Sequence, residues 1–193
     1  RHRLLGTARW GLVPEWATDP SIVGRMFNAR SETVAGKPSF RSAFRHRRCL
    51  VPVDGFYEWS PGSVGSPKQP WFVQREDGAP LVMAGLWETR TDEDGSALRT
   101  CTILTVGANA DLAPVHHRMP ALLPPGQWAE WLDPSTRDVS SLESLLVPAP
   151  AGLLELHTVD PRVNDARRKG VELTVPMDGS PQVSDVAAQE ALW

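Results

Sequence analysis

The feature that most constrains the fold is a series of short apolar runs, each ended within a few residues by glycine, proline or a charged side chain. The runs have the length and the β-branched content of strands. They cover residues 49–53, 71–73, 81–87, 101–106, 153–158 and 171–175. Helical signals are fewer and cover residues 38–48, 124–132 and 140–146. Because strands and helices do not alternate strictly, we predict an α+β fold: an antiparallel sheet or barrel-like core with short peripheral helices.

The length of 193 residues suits one domain, which we expect over residues 1–179, with a polar tail over 180–193. No apolar run is long enough for a transmembrane helix, and the first residues do not resemble a signal peptide. The two cysteines, Cys49 and Cys101, are too few for a disulfide scaffold. We therefore expect a reduced, cytoplasmic monomer without a membrane partner.

Positive charge is concentrated at the start of the chain. Residues 1–50 contain ten Lys and Arg against three acidic residues, whereas the remainder contains ten against twenty. Such a block can bind phosphates or form an ordinary solvated surface, and charge alone favours the second reading. Eight of the fourteen aromatic residues are tryptophan, and tryptophan beside arginine can also stack and hold a nucleic-acid strand.

Four clusters of residues could carry chemistry, at 9–16, 28–32, 54–60 and 114–120. The first has two tryptophans around a Gly/Pro turn, which ordinary packing would also explain. In the second, Asn28 and Arg30 lie on one side of an extended segment, where they could orient a substrate and clamp a phosphate. Alternatively, Asn28 or Ser31 could cap a helix.

The other two clusters contain candidate acid–base groups. Glu58 lies between aromatic residues, where desolvation would make it a general acid or base near neutrality, unless its carboxylate reaches the solvent. His116 can move protons at physiological pH. Because His116 and His117 are adjacent, both would rarely bind one metal ion. We expect neither a metal nor a cofactor.

Taken in order, the clusters resemble the SRAP (SOS response-associated peptidase) family of abasic-site-processing proteins. The motifs that carry the resemblance are Arg-Trp-Gly-Leu-Val-Pro at 9–14, Asn-Ala-Arg-Ser-Glu-Thr at 28–33, Arg-Cys-Leu-Val-Pro at 48–52 followed by Asp-Gly-Phe-Tyr-Glu-Trp at 54–59, Lys-Gln-Pro at 68–70 and His-His-Arg-Met-Pro at 116–120. The segment Val-Asp-Pro-Arg-Val-Asn at 159–164 also resembles the family. Together these motifs span residues 9–165.

The resemblance implies an enzyme that binds single-stranded DNA containing an abasic site and forms a covalent thiazolidine crosslink through an N-terminal cysteine. That cysteine is exposed when the protein removes its own initiator methionine. The catalytic residues implied are Asn28 for orienting the adduct, Glu58 for proton transfer and His116 for Schiff-base chemistry and crosslink reversal. The implied DNA contacts are Arg30 and Arg118 at phosphates and Trp10 and Pro14 along the strand. The implied location is cytoplasmic, at the nucleoid when DNA is bound.

Two departures from the family pattern bear on these expectations. His117 occupies a position where relatives often have an acid, which should reduce the negative charge near His116. Residue 2 is His2, and no cysteine precedes Cys49. We therefore expect that the family's N-terminal segment is missing here and that this chain forms no crosslink by itself. Cys49 aligns with a core strand and is not expected to be the nucleophile.

Two other functions remain open from the sequence. One is a DNA-binding module that shields single strands without covalent chemistry. The other is a peptidase or other hydrolase that uses Glu58 and His116 on a separate substrate.

Overall fold

The computed structural model describes residues 3–17, 26–61, 67–91, 95–136 and 138–177. The nine strands assigned in these ranges are β1 (Arg9–Trp10), β2 (Asn28–Arg30), β3 (Arg48–Val53), β4 (Gly55–Ser60), β5 (Gln69–Arg75), β6 (Leu81–Thr91), β7 (Ala97–Gly107), β8 (Arg118–Pro120) and β9 (Leu154–Thr158). The α-helices are α1 (Ser31–Val34), α2 (Arg41–His46), α3 (Trp128–Leu132) and α4 (Val139–Ser144). Short 3₁₀ turns lie at Pro125–Gln127, Pro161–Asn164 and Val171–Leu173.

The described strands form two sheets. In the larger sheet the order is β1-β7-β6-β3, and β2 and β8 also pair with β7. The β6–β7 pairing is antiparallel, with Trp87 opposite Cys101, whereas β1 and β2 run parallel to β7. The smaller sheet, β4-β5-β9, is antiparallel throughout. The predicted α+β fold with short helices is confirmed, and the described strands form open sheets rather than a closed barrel.

The chain divides into two compact units. The first unit contains Arg1–Val51, Val82–Val106 and Pro120–Val147, and the second contains Pro52–Leu81, Gly107–Met119 and Pro148–Trp193. The expectation of one domain over residues 1–179 stays a prediction. The expected tail over residues 180–193 lies outside the described residues.

The first unit has an apolar core that is closed by a buried arginine. Phe44 and Trp131 are fully buried and pack edge to face, with ring centroids 6.1 Å apart. Arg48 lies beside them and donates to the carbonyl oxygens of Trp131 at 2.6 Å and Phe44 at 2.9 Å. Because these carbonyls lie at helix ends, the guanidinium satisfies acceptors that the helices leave open. Arg48, one of the ten basic residues in the first fifty, therefore has a structural role in the core.

The second unit is built around β5, which has neighbours on both sides. Trp71, Phe72 and Val73 are buried in this strand, as expected for the central strand of a small sheet. Asp111 holds the loop that enters β9 by accepting hydrogen bonds from the backbone of Gly152 at 2.8 Å and Leu154 at 3.1 Å. Pairing with β5 therefore holds β4 in place.

The apolar runs predicted most of the strands, but one prediction was wrong. Residues 171–175 were expected to form a strand, whereas Val171–Leu173 is a 3₁₀ turn. Only Leu173 of this turn is buried, and Val171 is 79% exposed. Gly170 before it has a φ of 135°, a conformation that favours glycine. The run is apolar but has no sheet edge assigned to it.

Within the described residues, no helix has both the length and the apolar character needed to cross a membrane.

Candidate active site

The second unit brings two of the sequence-predicted catalytic side chains together. Glu58 lies in β4, opposite Trp71 of β5, and His116 lies two residues before β8 begins. The Glu58 Oε1 and His116 Nδ1 atoms are 3.6 Å apart. The two side chains keep 23% and 33% of their surface exposed, respectively. They are therefore shielded from bulk water but still reachable by a ligand.

The surroundings of Glu58 favour its protonated form. Burial raises the pKa of Glu58, while His116 and a backbone hydrogen bond at Trp59 act in the opposite direction and lower it. Burial is the largest of these influences, so the pKa lies above its usual value. A carboxyl group of this kind can both donate and accept a proton closer to neutral pH than an ordinary glutamate.

The imidazole of His116 is held by its own backbone neighbourhood. Its Nδ1 lies 2.9 Å from the carbonyl oxygen of Arg118 and 3.2 Å from the backbone nitrogen of the same residue. A protonated Nδ1 donates to the carbonyl and leaves Nε2 as the basic atom, whereas an unprotonated Nδ1 accepts from the Arg118 amide. Either tautomer is thus supported, which suits a residue that passes protons on.

The departure at residue 117 has a visible geometric consequence. The rings of His116 and His117 lie 4.6 Å apart and are tilted by 44°. His117 is exposed, so it adds an aromatic surface beside the Glu58–His116 pair.

The acid–base pair opens onto a pocket of about 420 Å³. The lining residues are Glu58, Trp59, Pro67, Lys68, His116 and Asn164. The pocket therefore combines an aromatic wall, two proton-transfer groups, an amine and an amide. Walls that combine apolar surface with a few polar groups suit a small ligand or one unit of a polymer.

Sequence reasoning missed two of these lining residues as functional candidates. Lys68 and Asn164 both lie in motifs that matched the family, at 68–70 and 159–164, but no role was assigned to either. The signal that could have found them is the match itself at a polar residue outside the core. Asn164 accepts a hydrogen bond of 2.9 Å from the indole nitrogen of Trp59, 105 residues away in sequence.

Arg118, a predicted DNA contact, also belongs to the second unit. It begins β8 and is half-buried, and its backbone holds the ring of His116. Its contact with a phosphate stays a prediction.

The remaining predicted site residues belong to the first unit. Asn28 and Arg30 are exposed at the two ends of β2, with the buried Ala29 between them. As predicted for an extended segment, the two side chains lie on one side of the strand. Arg30 is the N-cap residue of α1, and that cap has no side-chain hydrogen bond. The alternative in which Asn28 or Ser31 caps this helix is therefore excluded.

Trp10 and Pro14 have different surroundings in the first unit. Trp10 is 55% exposed, packs edge to face with Phe27 and donates from its indole nitrogen to the carbonyl oxygen of Phe27 at 2.7 Å. Its ring is thus an exposed aromatic surface in a fixed orientation. Pro14 is buried, and its carbonyl oxygen accepts from Ala17 at 3.0 Å in a turn. The contact of Pro14 with DNA stays a prediction.

Two further findings concern metals and thiols. No group of three or more His, Cys, Asp or Glu side chains that could hold a metal ion occurs in the part of the chain that the structure describes. Burial raises the pKa of the Cys49 thiol to about 12, and the neighbouring Cys101 adds to this effect. Because the thiolate is the reactive form, Cys49 is unsuited to nucleophilic attack at neutral pH.

The fold and the site define a class: α+β proteins in which a partly buried carboxyl group and an imidazole line one pocket. The chain belongs to one family of this class: residues 1–166 match the family model described as SOS response associated peptidase (SRAP).

Named relatives agree with this assignment. The chain is 38% identical over 169 residues to the abasic site processing protein YoaM of Bacillus subtilis, covering 88% of this chain and 74% of that protein. It is 35% identical over 217 residues to the abasic site processing protein HMCES of Gallus gallus, covering 99% and 63%. It is 32% identical over 180 residues to the abasic site processing protein YedK of Escherichia coli, covering 91% and 77%.

A solved structure supports the fold. The crystal structure of a protein from Bacteroides thetaiotaomicron matches with a TM-score of 0.78 and 28% identity, covering 87% of this chain and 75% of that one. The family resemblance predicted from the sequence motifs is confirmed.

Proposed function

We propose that this protein binds single-stranded DNA and processes abasic sites by forming a thiazolidine with an N-terminal cysteine. The observation that carries the proposal is the Glu58–His116 pair, 3.6 Å apart at a pocket of about 420 Å³, with the pKa of Glu58 raised by burial. The names of the relatives, all abasic site processing proteins, support the choice of substrate.

The first chemical step that we propose is Schiff-base formation. The neutral α-amine of the cysteine adds to the ring-opened aldehyde of the abasic site and forms a carbinolamine. Protonated Glu58 then donates to the departing hydroxyl, water leaves, a C=N bond forms, and the nitrogen returns a proton to Glu58, which leaves a neutral imine. Because its pKa is raised, Glu58 retains a proton at pH values where an ordinary glutamate has lost it.

The second step closes the ring. The cysteine sulfur adds to the imine carbon, the C=N bond becomes a C–N bond, and the nitrogen receives the proton that the thiol released. His116 can carry this proton, since its ring is supported in either tautomer. The same residue serves the reverse reaction, and Glu58 assists the removal of the initiator methionine by hydrolysis.

DNA binding is proposed to use side chains of both units. In the first unit, Trp10 offers an exposed ring, and Arg30 and Asn28 offer an exposed cation and amide. In the second unit, Arg118 lies next to the acid–base pair in sequence and in space. Stacking combined with phosphate contacts is how proteins hold single strands without reading their sequence.

The test supplies the nucleophile. A family N-terminal segment beginning with cysteine is fused before Arg1, and the protein is incubated with single-stranded DNA with or without an abasic site. A denaturing gel should show a heat-stable covalent product only with the abasic strand, for the fusion but not for residues 1–193 alone. Cys49→Ser should leave the product unchanged, because that thiol is protonated at neutral pH.

Other outcomes would favour the alternative functions. Binding to the DNA by the fusion without any covalent band would support a non-covalent shielding module. Cleavage of separate peptides, abolished by Glu58→Gln, would support a peptidase that acts in trans. A covalent product from residues 1–193 alone that Cys49→Ser abolishes would overturn the assignment of the nucleophile.

A further inference from the structure

We propose that Asn164 is a positioning residue of the pocket: its amide orients the indole of Trp59, and this orientation sets the affinity of the pocket for an abasic DNA strand. The inference rests on the proposed function, because it assumes that single-stranded DNA is the ligand. It adds a residue and a contact that neither the motif reading nor the acid–base mechanism requires.

The geometry of the contact identifies which atoms interact. The indole nitrogen of Trp59 lies 2.9 Å from Oδ1 of Asn164, an ordinary length for an N–H···O hydrogen bond. Because an indole nitrogen can only donate, the amide must present its oxygen to the ring. The Nδ2 group of Asn164 is consequently turned away from the indole. The orientation of both side chains is therefore coupled.

Both side chains line the pocket that contains Glu58 and His116. Trp59 and Glu58 both line this pocket, so the orientation of the Trp59 ring contributes to the shape of the pocket. Trp59 also packs against Tyr57, with ring centroids 6.4 Å apart and ring planes tilted by 48°. This ring contact does not involve the indole N–H, so the hydrogen bond to Asn164 is the contact that fixes the direction of that N–H.

Asn164 is itself held in place before any ligand arrives. It ends the 3₁₀ turn Pro161–Asn164, whose N-cap residue Asp160 accepts from the backbone nitrogen of Arg162 at 2.8 Å. The turn is tied to the sheet at its start, because Val159 donates to the carbonyl oxygen of Pro70 at 3.1 Å. Pro70 is paired with Trp59 across β4 and β5. The amide acceptor and the indole donor are thus carried by one connected framework.

A preoriented aromatic ring binds a base or sugar face with a smaller entropic cost than a freely rotating one. Stacking on such a ring contributes substantially to single-strand binding. The chemistry of the wall therefore points to the nucleotide next to the lesion as the group that contacts Trp59.

The experiment is a double-mutant cycle on residues 1–193. The variants are Asn164→Ala, Trp59→Phe and the combination, and the probe is a short single strand with a tetrahydrofuran abasic analogue. Asn164→Ala should weaken binding about threefold to tenfold, the effect of losing one hydrogen bond. In the Trp59→Phe background, Asn164→Ala should have no further effect, because phenylalanine has no N–H to orient.

A second readout follows the indole directly. The Trp59 indole N–H signal in a proton–nitrogen NMR spectrum is assigned by its loss in Trp59→Phe. In Asn164→Ala this N–H should exchange faster with solvent. Asn164→Asp keeps an oxygen acceptor and should restore the slow exchange, while its negative charge weakens DNA binding. Unchanged folding of each variant is checked by its thermal unfolding curve.

Each outcome has a distinct meaning. The positioning role would be overturned if wild type and Asn164→Ala bound DNA with equal affinity. It would also be overturned if Asn164→Ala weakened DNA binding as much in the Trp59→Phe background as in the wild type. Unchanged indole exchange in Asn164→Ala would also overturn it, whatever the affinity. Absence of DNA binding by the wild-type chain, with indole exchange altered as expected, would instead count against the proposed function and against DNA as the ligand of this pocket.

Discussion

Each compact unit contains a shielded glutamate beside a basic partner, and the two glutamates differ in what that partner can do. In the first unit Glu88 is buried and pairs with Arg47 at 2.8 Å. In the second unit Glu58 is half-buried and faces His116 at 3.6 Å. Arginine stays charged at any physiological pH, whereas histidine gains and loses its proton in that range.

The difference shows what distinguishes a carboxylate in a structural ion pair from the carboxyl group that we propose to be reactive. Glu88 also accepts from the backbone of Thr89 at 3.3 Å, and Arg47 is anchored in addition by Ser42 at 3.0 Å. This network ties Glu88 to a permanently charged guanidinium. Glu58 has a titratable neighbour, a raised pKa and a pocket in front of it. Such a group can change its protonation state while a ligand is bound.

The most direct test of this difference between Glu58 and Glu88 is to remove the ionisable group from each glutamate in the cysteine-initiated fusion. Glu58→Gln should slow crosslinking about a hundredfold or more, because the amide keeps the shape but cannot transfer a proton. Glu88→Gln is the matched control and should leave the rate per folded molecule unchanged. Rates are measured from gel band intensities over time. Equal slowing by both changes would show that the effect is structural.

The stability of the same pair of variants should show the reverse order. Glu88→Gln leaves the Arg47 guanidinium without its carboxylate in a largely buried site and should lower the free energy of unfolding by about 1–3 kcal/mol. Urea unfolding followed by circular dichroism measures this change. Glu58→Gln should not destabilise the protein at neutral pH. A larger loss from Glu58→Gln than from Glu88→Gln would contradict the assignment of structural and reactive roles.

The pH dependence of stability should report the raised pKa of Glu58. A carboxyl whose pKa is raised in the folded state holds its proton more tightly there than in the unfolded chain. Its ionisation therefore costs stability, and the cost grows as pH rises from the ordinary value of 4.5 through the higher folded pKa. Glu58→Gln removes this cost, so its melting temperature should match that of the wild type in acid and exceed it near neutrality. A constant difference across this pH range would place Glu58 in an ordinary environment.

The smallest expected effect concerns the cations of the first unit. Arg30 is exposed, whereas Arg48 is buried and bonded to helix-end carbonyls. Arg30→Ala should reduce the salt dependence of single-stranded DNA binding by about one phosphate contact. Arg90→Ala, at a half-buried arginine in the same unit, provides a comparison. Titrations at several salt concentrations measure the slopes, and an unchanged slope for Arg30→Ala would remove Arg30 from the DNA surface.

The two candidate acid–base residues could be picked out from the sequence because they lie in compact motifs, and the structure places them 3.6 Å apart. The aromatic residues around Glu58 predicted a desolvated carboxyl group with a raised pKa. In the structure, burial does raise the pKa of Glu58. Apolar runs predicted most of the strands, since period and β-branching are local properties. The run at 171–175 failed for the converse reason: an apolar segment becomes a strand only where a partner strand is present.

The sequence alone established the fold class and the family, and it singled out Glu58 and His116 as candidate acid–base residues. These conclusions follow from local patterns and from motifs that occur in the same order as in the family. The tertiary structure alone decided that Asn164 holds the indole of Trp59 across 105 residues. It also decided that, of two consecutive arginines, Arg47 pairs with Glu88 and Arg48 caps helix ends. Hydrogen bonds between residues far apart in sequence depend on the register in which the strands pair. No local pattern of residue types specifies which distant residues come into contact.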